Sequence, residues 1–465
     1  MILGFFWFFS IVSIYLINLI GYLRRNIHSR LLPSDLIITD HYLLKTMDKR
    51  TFLKSAGLVG LGGMMSLEGL AELVGRVSAV PSAELAGDED FWSSIRKGYK
   101  LKPDYINLEN GYYNFLPEQV LEKFIGHVRE INFQGSYYMR TVQFENKKSV
   151  AAKLAAIAGC SPDELIITRN TTESLDMIIG GLDWKTGDEA VMAEQDYGAM
   201  LEMFKQVSKR YGVLNKVISV PNLPETDDEI VNLYASAITD KTKLLMVCHM
   251  INITGQILPV RKICDMAHER GVQVMVDGAH SFAHFKFTIP DLNCDYYGSS
   301  LHKWLSTPLG AGILYVKKEK IGTVWPLIAE GERKPDDISR LNHIGTHPVH
   351  TDLAIVDAID FYRIIGMERK EARLRFLQTY WTSKVRDLPN VILNTPSDPA
   401  RCCGIANVGI RGMKPSDLGD ILFRKYKIYT APIDGAGVHG CRITPNVYTT
   451  TSELDILVNA LTELK

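Results

Sequence analysis

From about residue 160 the apolar positions fall into short unbroken runs separated by stretches of helical spacing. ELIIT (164–168), EAVMAE (189–194), KVISVP (216–221), KLLMVCHM (243–250), VQVMVD (272–277) and AGILYV (311–316) have the length and composition of strands. TESLDMIIGGL and VRKICDMAHERG, lying between such runs, repeat their apolar residues at helical intervals. This alternation predicts an α/β fold, a mostly parallel sheet with helices on both faces. Ligands of such sheets bind at the carboxyl ends of the strands. After about residue 351 the texture changes: the helical run TDLAIVDAIDFYRIIGMERKEARLRFLQTYWTSKVRDL precedes short strands and a last helix, TSELDILVNALTELK. The expectation is a large domain over 131–350, a smaller α+β domain over 351–465, and a segment, 84–130, packed on the small one.

The first 83 residues differ in kind. Residues 1–23 carry no charge and are followed by Arg24 and Arg25, long enough to cross a hydrocarbon core about 30 Å thick. A second start at Met47, MDKRTFLKSAGLVGLGGMMS, resembles a twin-arginine export signal in its Lys-Arg form. We therefore read 1–46 as an apolar segment, either an over-extended gene start or a membrane span, and 47–83 as the signal. VSAVPSA (77–83) offers small residues for cleavage after Ala79 or Ala83. An exported protein, or one anchored by its N-terminus, is expected; a non-functional signal leaves it cytoplasmic. The glycines of GLVGLGG follow no strand and do not form a phosphate loop.

Composition narrows the partners. Lys plus Arg (52) nearly balances Asp plus Glu (53), and the body of the chain has no basic block, so nucleic acid is not an expected partner. Seven cysteines form no C-x-x-C pair, which argues against zinc and against a disulfide framework.

Chemistry concentrates in two places. Asp277 closes a buried strand, where a carboxylate needs a cationic or hydrogen-bonding partner. Lys303 lies in YYGSSLHKWLSTPLGAG (296–312), far enough on for one more strand to fit between the two. An acid and a lysine converging on one strand end suit pyridoxal phosphate chemistry: the lysine forms the Schiff base and the acid keeps the pyridine nitrogen protonated.

DGAHS, followed by GSSLHKW and PLGAG, resembles the cofactor-lysine region of class V aminotransferases, within the fold type I pyridoxal phosphate enzymes. HKWLSTPLGAGIL is especially similar to isopenicillin N epimerase-like members. The resemblance runs over residues 105–455 and implies the fold type I architecture, a seven-stranded, mostly parallel sheet with a smaller α+β C-terminal domain. It further implies pyridoxal 5'-phosphate as cofactor. Thr171 and Thr172 in TRNTTESLD match the helix start that binds the phosphate, with an ordinary N-cap as the plainer reading. Tyr197 matches the aromatic that stacks on the pyridine, Asn252 a residue beside cofactor or substrate, and His280 a group near the phenolic oxygen. Ser300 and His302 match phosphate holders. Gly345 and Thr346 match a segment that reaches the partner subunit's cofactor, which implies a homodimer. Arg442 matches the substrate carboxylate clamp, for which a guanidinium fork is suited.

The resemblance implies an enzyme acting at the α-carbon of an amino acid or amino-acid-containing molecule, an epimerase in first place. Lys303 is one base; for the opposite face GSYYMR (135–140) offers Tyr137, Tyr138 and Arg140. Aminotransferase and cysteine desulfurase chemistry are the same-cofactor alternatives, and a catalytically idle, membrane-tethered binding protein is the alternative of another class. Cys441 abuts Arg442 and is badly placed as a mobile nucleophile; Cys402 or Cys403 would have to fold toward the site.

Overall fold

The computed structural model describes residues 66–328 and 331–464. The uncharged stretch 1–23 and the Lys-Arg stretch after Met47, expected to begin an export signal, lie outside the described residues. Among those described, no helix is long and apolar enough to cross a membrane. The end of the stretch 47–83, expected to be a signal, is described: Ser66 caps a helix, Leu67–Arg76, by accepting from the Gly69 N–H. That helix buries Leu70 and Val74, whereas Ala79 and Ala83 are exposed.

The large sheet consists of β1 Leu165–Thr168, β2 Glu189–Ala193, β3 Leu214–Ile218, β4 Thr242–Cys248, β5 Gln273–Asp277, β6 Tyr296–Ser300 and β7 Gly312–Val316. Its order is β1-β7-β6-β5-β4-β2-β3. The pairs from β3 to β6 are parallel; β7 runs antiparallel to β6 and to β1. β6 fills the space between Asp277 and Lys303. Strands β2, β6 and β7 are buried at every position, the pattern of a sheet covered on both faces. β3 ends earlier than KVISVP suggests: as the edge strand it pairs only with β2, and Ala193 opposite Ile218 is where that ladder stops.

The helices used below are α1 Glu118–Gln134, α2 Gln143–Ala158, α3 Thr171–Gly181, α4 Gly198–Tyr211, α5 Val260–His268, α6 Val349–Ile365, α7 Met367–Val385, α8 Pro415–Tyr426 and α9 Thr451–Glu463. Leu175 and Ile178 of α3 and Phe204 of α4 pack with Met246, Tyr296 and Leu314 on one face of the sheet. Leu245 and Val247 alternate with Met246 along β4 and are equally buried, so they point to the other face. The single long helical run expected after residue 351 is two helices, because Gly366 adopts φ +88° between α6 and α7 and a left-handed residue ends a helix.

A second, antiparallel sheet joins β8 Val391–Leu393, β9 Ala406–Ile410, β10 Ala431–Gly435 and β11 Val438–Ile443 in the order β10-β11-β9-β8. Its core is shared with Leu377 and Trp381 of α7, Leu418 and Leu422 of α8, and Leu454 and Leu457 of α9. The N-terminal segment is stitched to this layer. Ile106–Asn107 pairs in parallel with Ile428–Tyr429, Glu109 bridges Thr444, and the fully buried Arg373 of α7 pairs with Glu89 at 2.6 Å. α1, by contrast, packs against α6.

The two sheets approach each other at the turn after β4. Gly255 has φ +77°, and a Cβ there would lie 2.1 Å from the carbonyl oxygen of Ile405. Both the conformation and the contact require glycine. Gly255→Ala is expected to destabilise the protein by roughly 2–4 kcal/mol, seen as a lowered unfolding midpoint in denaturant; an unchanged midpoint would show that the turn adapts.

Candidate active site

Asp277 is the last residue of β5 and is 4% exposed. Burial raises its carboxyl pKa, while the Ala279 N–H at 2.9 Å and the charge of Lys303 act to lower it. Lys303 follows β6, the neighbouring strand, so sheet pairing brings both side chains to one edge. Burial pushes the Lys303 amine down to about 8; Arg442 acts in the same direction, and Asp277 and Glu109 oppose it.

The Lys303 Nζ lies 3.0 Å from His280 Nε2. On the far side of that imidazole, Trp304 Nε1 donates to His280 Nδ1 at 3.3 Å. An indole N–H is only a donor, so Nδ1 accepts and the neutral ring carries its proton on Nε2. Burial, first of all, keeps His280 neutral by drawing its pKa well below the usual histidine value. An Nε2–H facing Nζ requires a lone pair on the amine, and so favours Lys303 as the free base.

The lysine turn is braced from three directions. Asn114 Nδ2 donates to the Lys303 carbonyl, and Lys370 of α7 donates to the Trp304 carbonyl. His284 stacks on Trp304 with ring centroids 3.6 Å apart and accepts the Gly404 N–H at 2.9 Å. Lys370 has its amine pushed down to about 7 by burial. Asn114, Trp304 and Lys370 were not singled out from the sequence; only the adjacency of Trp304 to Lys303 offered a signal.

The other residues named from the sequence group as follows. Thr171, the first residue of α3, donates its N–H to Ser300 Oγ at 2.9 Å, and the two hydroxyls are 2.7 Å apart. The N-cap is Asn170, whose side chain accepts from the Glu173 N–H, so neither Thr171 nor Thr172 is the cap; Thr172 is half-buried. Burial brings His302 down to about 4, and its Nδ1 is buried with no hydrogen-bond partner among the described residues. Tyr197 follows β2 at the same end of the sheet and is 47% exposed. Asn252 lies in the turn after β4 and accepts from Arg442 Nη1 at 3.2 Å through its backbone oxygen.

Four residues lie apart from this cluster, sharing no hydrogen bond or ion pair with Lys303, Asp277 or Arg442 among the described residues. Thr346 is exposed beside Gly345 at φ +72°. Tyr137 is 68% exposed and Arg140 is exposed. Tyr138 is 3% exposed, with its hydroxyl accepting from Asn146 at 3.0 Å.

Residues 116–455 match the family model for aminotransferase class-V. The chain belongs to that family. Isopenicillin N epimerase of Streptomyces clavuligerus is 26% identical over 390 residues, covering 80% of this chain and 98% of that protein. A cysteine desulfurase of Haloferax volcanii is 27% identical over 382 residues, 77% of this chain and 88% of the relative. Among solved structures, a cysteine desulfurase of Thermococcus onnurineus superposes with a TM-score of 0.71 at 21% identity, covering 80% of this chain and 97% of its own. The cystine C-S lyase C-DES gives 0.70 at 22% identity, covering 78% and 97%. The fold is that of the fold type I pyridoxal phosphate enzymes, and pyridoxal phosphate is the cofactor.

The residues present fit that cofactor. A helix N-terminus and the hydroxyls of Thr171 and Ser300 provide donors at one end of the site, as a phosphate requires. At the other end stands the buried carboxylate of Asp277. Capture of the cofactor by apoprotein is expected to speed up about tenfold per pH unit below a midpoint near 8, following the free amine of Lys303. In Asp277→Asn the midpoint moves lower, because an anion that stabilises the charged amine is gone. Stopped-flow mixing across pH checks both, and a wild-type midpoint near an ordinary lysine value of about 10.4 would contradict the burial argument.

Proposed function

We propose that this chain is an isopenicillin N epimerase-like enzyme, which removes and returns the α-proton of an amino acid or amino-acid-containing small molecule. Pyridoxal phosphate, when bound, supplies a ring that takes up the electron pair left at Cα. Lys303 holds the cofactor covalently and is one base; Asp277 keeps the ring protonated; Thr171, Ser300 and His302 hold the phosphate; Tyr197 stacks on the ring. Arg442 faces the substrate.

The observation that carries epimerisation over desulfuration is the state of the thiols. Among the described residues Cys248, Cys264, Cys294, Cys402, Cys403 and Cys441 are buried, and Cys160 is half-buried. Burial pushes Cys160 and Cys403 up to about 12 and Cys441 up to about 11. The Cys402 thiol donates to the Asp398 carbonyl at 3.3 Å and that of Cys441 to the Pro415 carbonyl at 3.5 Å. A thiol acting as nucleophile needs thiolate character and access; the six buried thiols lack access, and Cys160, though partly accessible, is held protonated.

Incubating holoenzyme with amino acids and amino-acid amides in deuterated water is expected to label Cα and invert its configuration without producing keto acid. Sulfide release from cysteine or cystine would overturn the reading in favour of a C–S lyase, and keto acid in favour of transamination. Cys160→Ser is expected to leave the exchange rate unchanged.

We further propose that the active unit is a homodimer. Phe133, Tyr137 and Phe144 are 85%, 68% and 60% exposed within one short stretch of chain, an apolar surface suited to a second copy. Light scattering on the purified protein is expected to give twice the monomer mass, with a monomer as the contrary result.

A further inference from the structure

Arg442 does not face the site as a free cation. Its Nε is 3.2 Å from Glu109 Oε2, and its Nη2 makes a second, short contact with Glu109 Oε1. The two side chains are 8% and 7% exposed. Nη1 donates to the Asn252 carbonyl at 3.2 Å. Three of the five guanidinium N–H groups are thereby committed within the protein.

Glu109 is fixed in place, not carried on a lid. Its backbone bridges Thr444, and the next residue, Asn110, bonds the Thr444 hydroxyl at 2.6 Å and the Thr444 carbonyl at 2.7 Å. Tyr448 donates to Asn110 Oδ1 at 2.6 Å. The Arg442 guanidinium lies against Gly111, where a Cβ would come within 2.8 Å of Cζ. Segments 109–111 and 442–448 are therefore tied together, so that the acid sits beside the arginine on no separately moving element. Both charges also act on the Lys303 amine, in opposite senses.

We propose that Glu109 is a specificity-determining residue, making with Arg442 a self-neutralised pair that receives an amide, so that the substrate is an amino acid whose α-carboxyl is amidated or peptide-linked. This rests on the reading of Arg442 as the group that faces substrate. A free carboxylate placed on this pair puts two anions on one cation in a site shielded from water, where like charges repel strongly. An amide avoids the conflict. Its carbonyl oxygen takes a remaining Arg442 N–H, and its own N–H donates to a lone pair left on the Glu109 carboxylate. The pair thus offers a donor and an acceptor side by side, the complement of an amide.

Binding is read on the holoenzyme from the visible band of lysine-bound cofactor, by titrating matched pairs of an amino acid and its own amide across a panel of side chains. Wild type is expected to bind the amide member at least about tenfold more tightly in the pairs it accepts. Glu109→Gln reverses the preference and moves the pH midpoint of the band downward, since an anion that stabilises positive charge at Lys303 is removed; Glu109→Asp keeps the wild-type ratio. Wild type that binds free amino acids as tightly as their amides overturns the proposal, whatever the variants do. So does a ratio that Glu109→Gln leaves unchanged. An enzyme that prefers amides but exchanges no α-proton supports this inference and counts against the epimerase reading, so the two fail separately.

Discussion

The site is organised around one amine held away from water. Burial lowers the charge state of Lys303, and His280 reinforces this by turning an N–H rather than a lone pair toward it, because Trp304 occupies its other nitrogen. A lysine in this condition is a nucleophile and a base near neutral pH, where a solvated lysine is neither. The arrangement works only if the turn carrying Lys303 is rigid. Its rigidity comes from outside the sheet, through Asn114, Lys370 and the stacked His284.

Those braces mean that three parts of the chain build one site. The large sheet supplies Asp277, Ser300 and the start of α3 from carboxyl ends on one side of the sheet, where ligands of such sheets bind. The antiparallel layer supplies Arg442 from β11 and, through α7, Lys370. The segment before α1 supplies Glu109 and Asn114. Glu109 and Arg442 form a buried ion pair, and breaking such a pair from one side leaves an uncompensated charge, which costs about 3–5 kcal/mol. The pair is therefore better understood as a fixed feature of the binding surface than as a latch.

The family carries several reactions on this frame, and relatives of similar identity include both an epimerase and cysteine desulfurases. Fold alone does not choose between them. The choice lies in side chains that line the site or fail to reach it. Here most of the thiols are buried, and Arg442 already holds a carboxylate, that of Glu109.

By itself the sequence determined the order of strands and helices, because unbroken apolar runs of strand length alternating with helical spacing have few other solutions. It also placed Asp277 and Lys303 together, because with one strand between them they meet at one end of the sheet wherever adjacent strands are parallel. Tertiary structure decided what depends on long-range approach. That α6 and α7 are separate follows from a backbone angle at Gly366, which no periodicity records. Nothing in the local pattern marks Glu109, and only the pairing of its segment with the 442–448 region places it on Arg442. Tyr138 was one of three candidates for the opposite face, and it is the tertiary packing that buries it with its hydroxyl accepting from Asn146. Local pattern carries secondary structure because neighbouring residues share one periodicity; the partner of a buried charge comes from hundreds of residues away and leaves no mark in that periodicity.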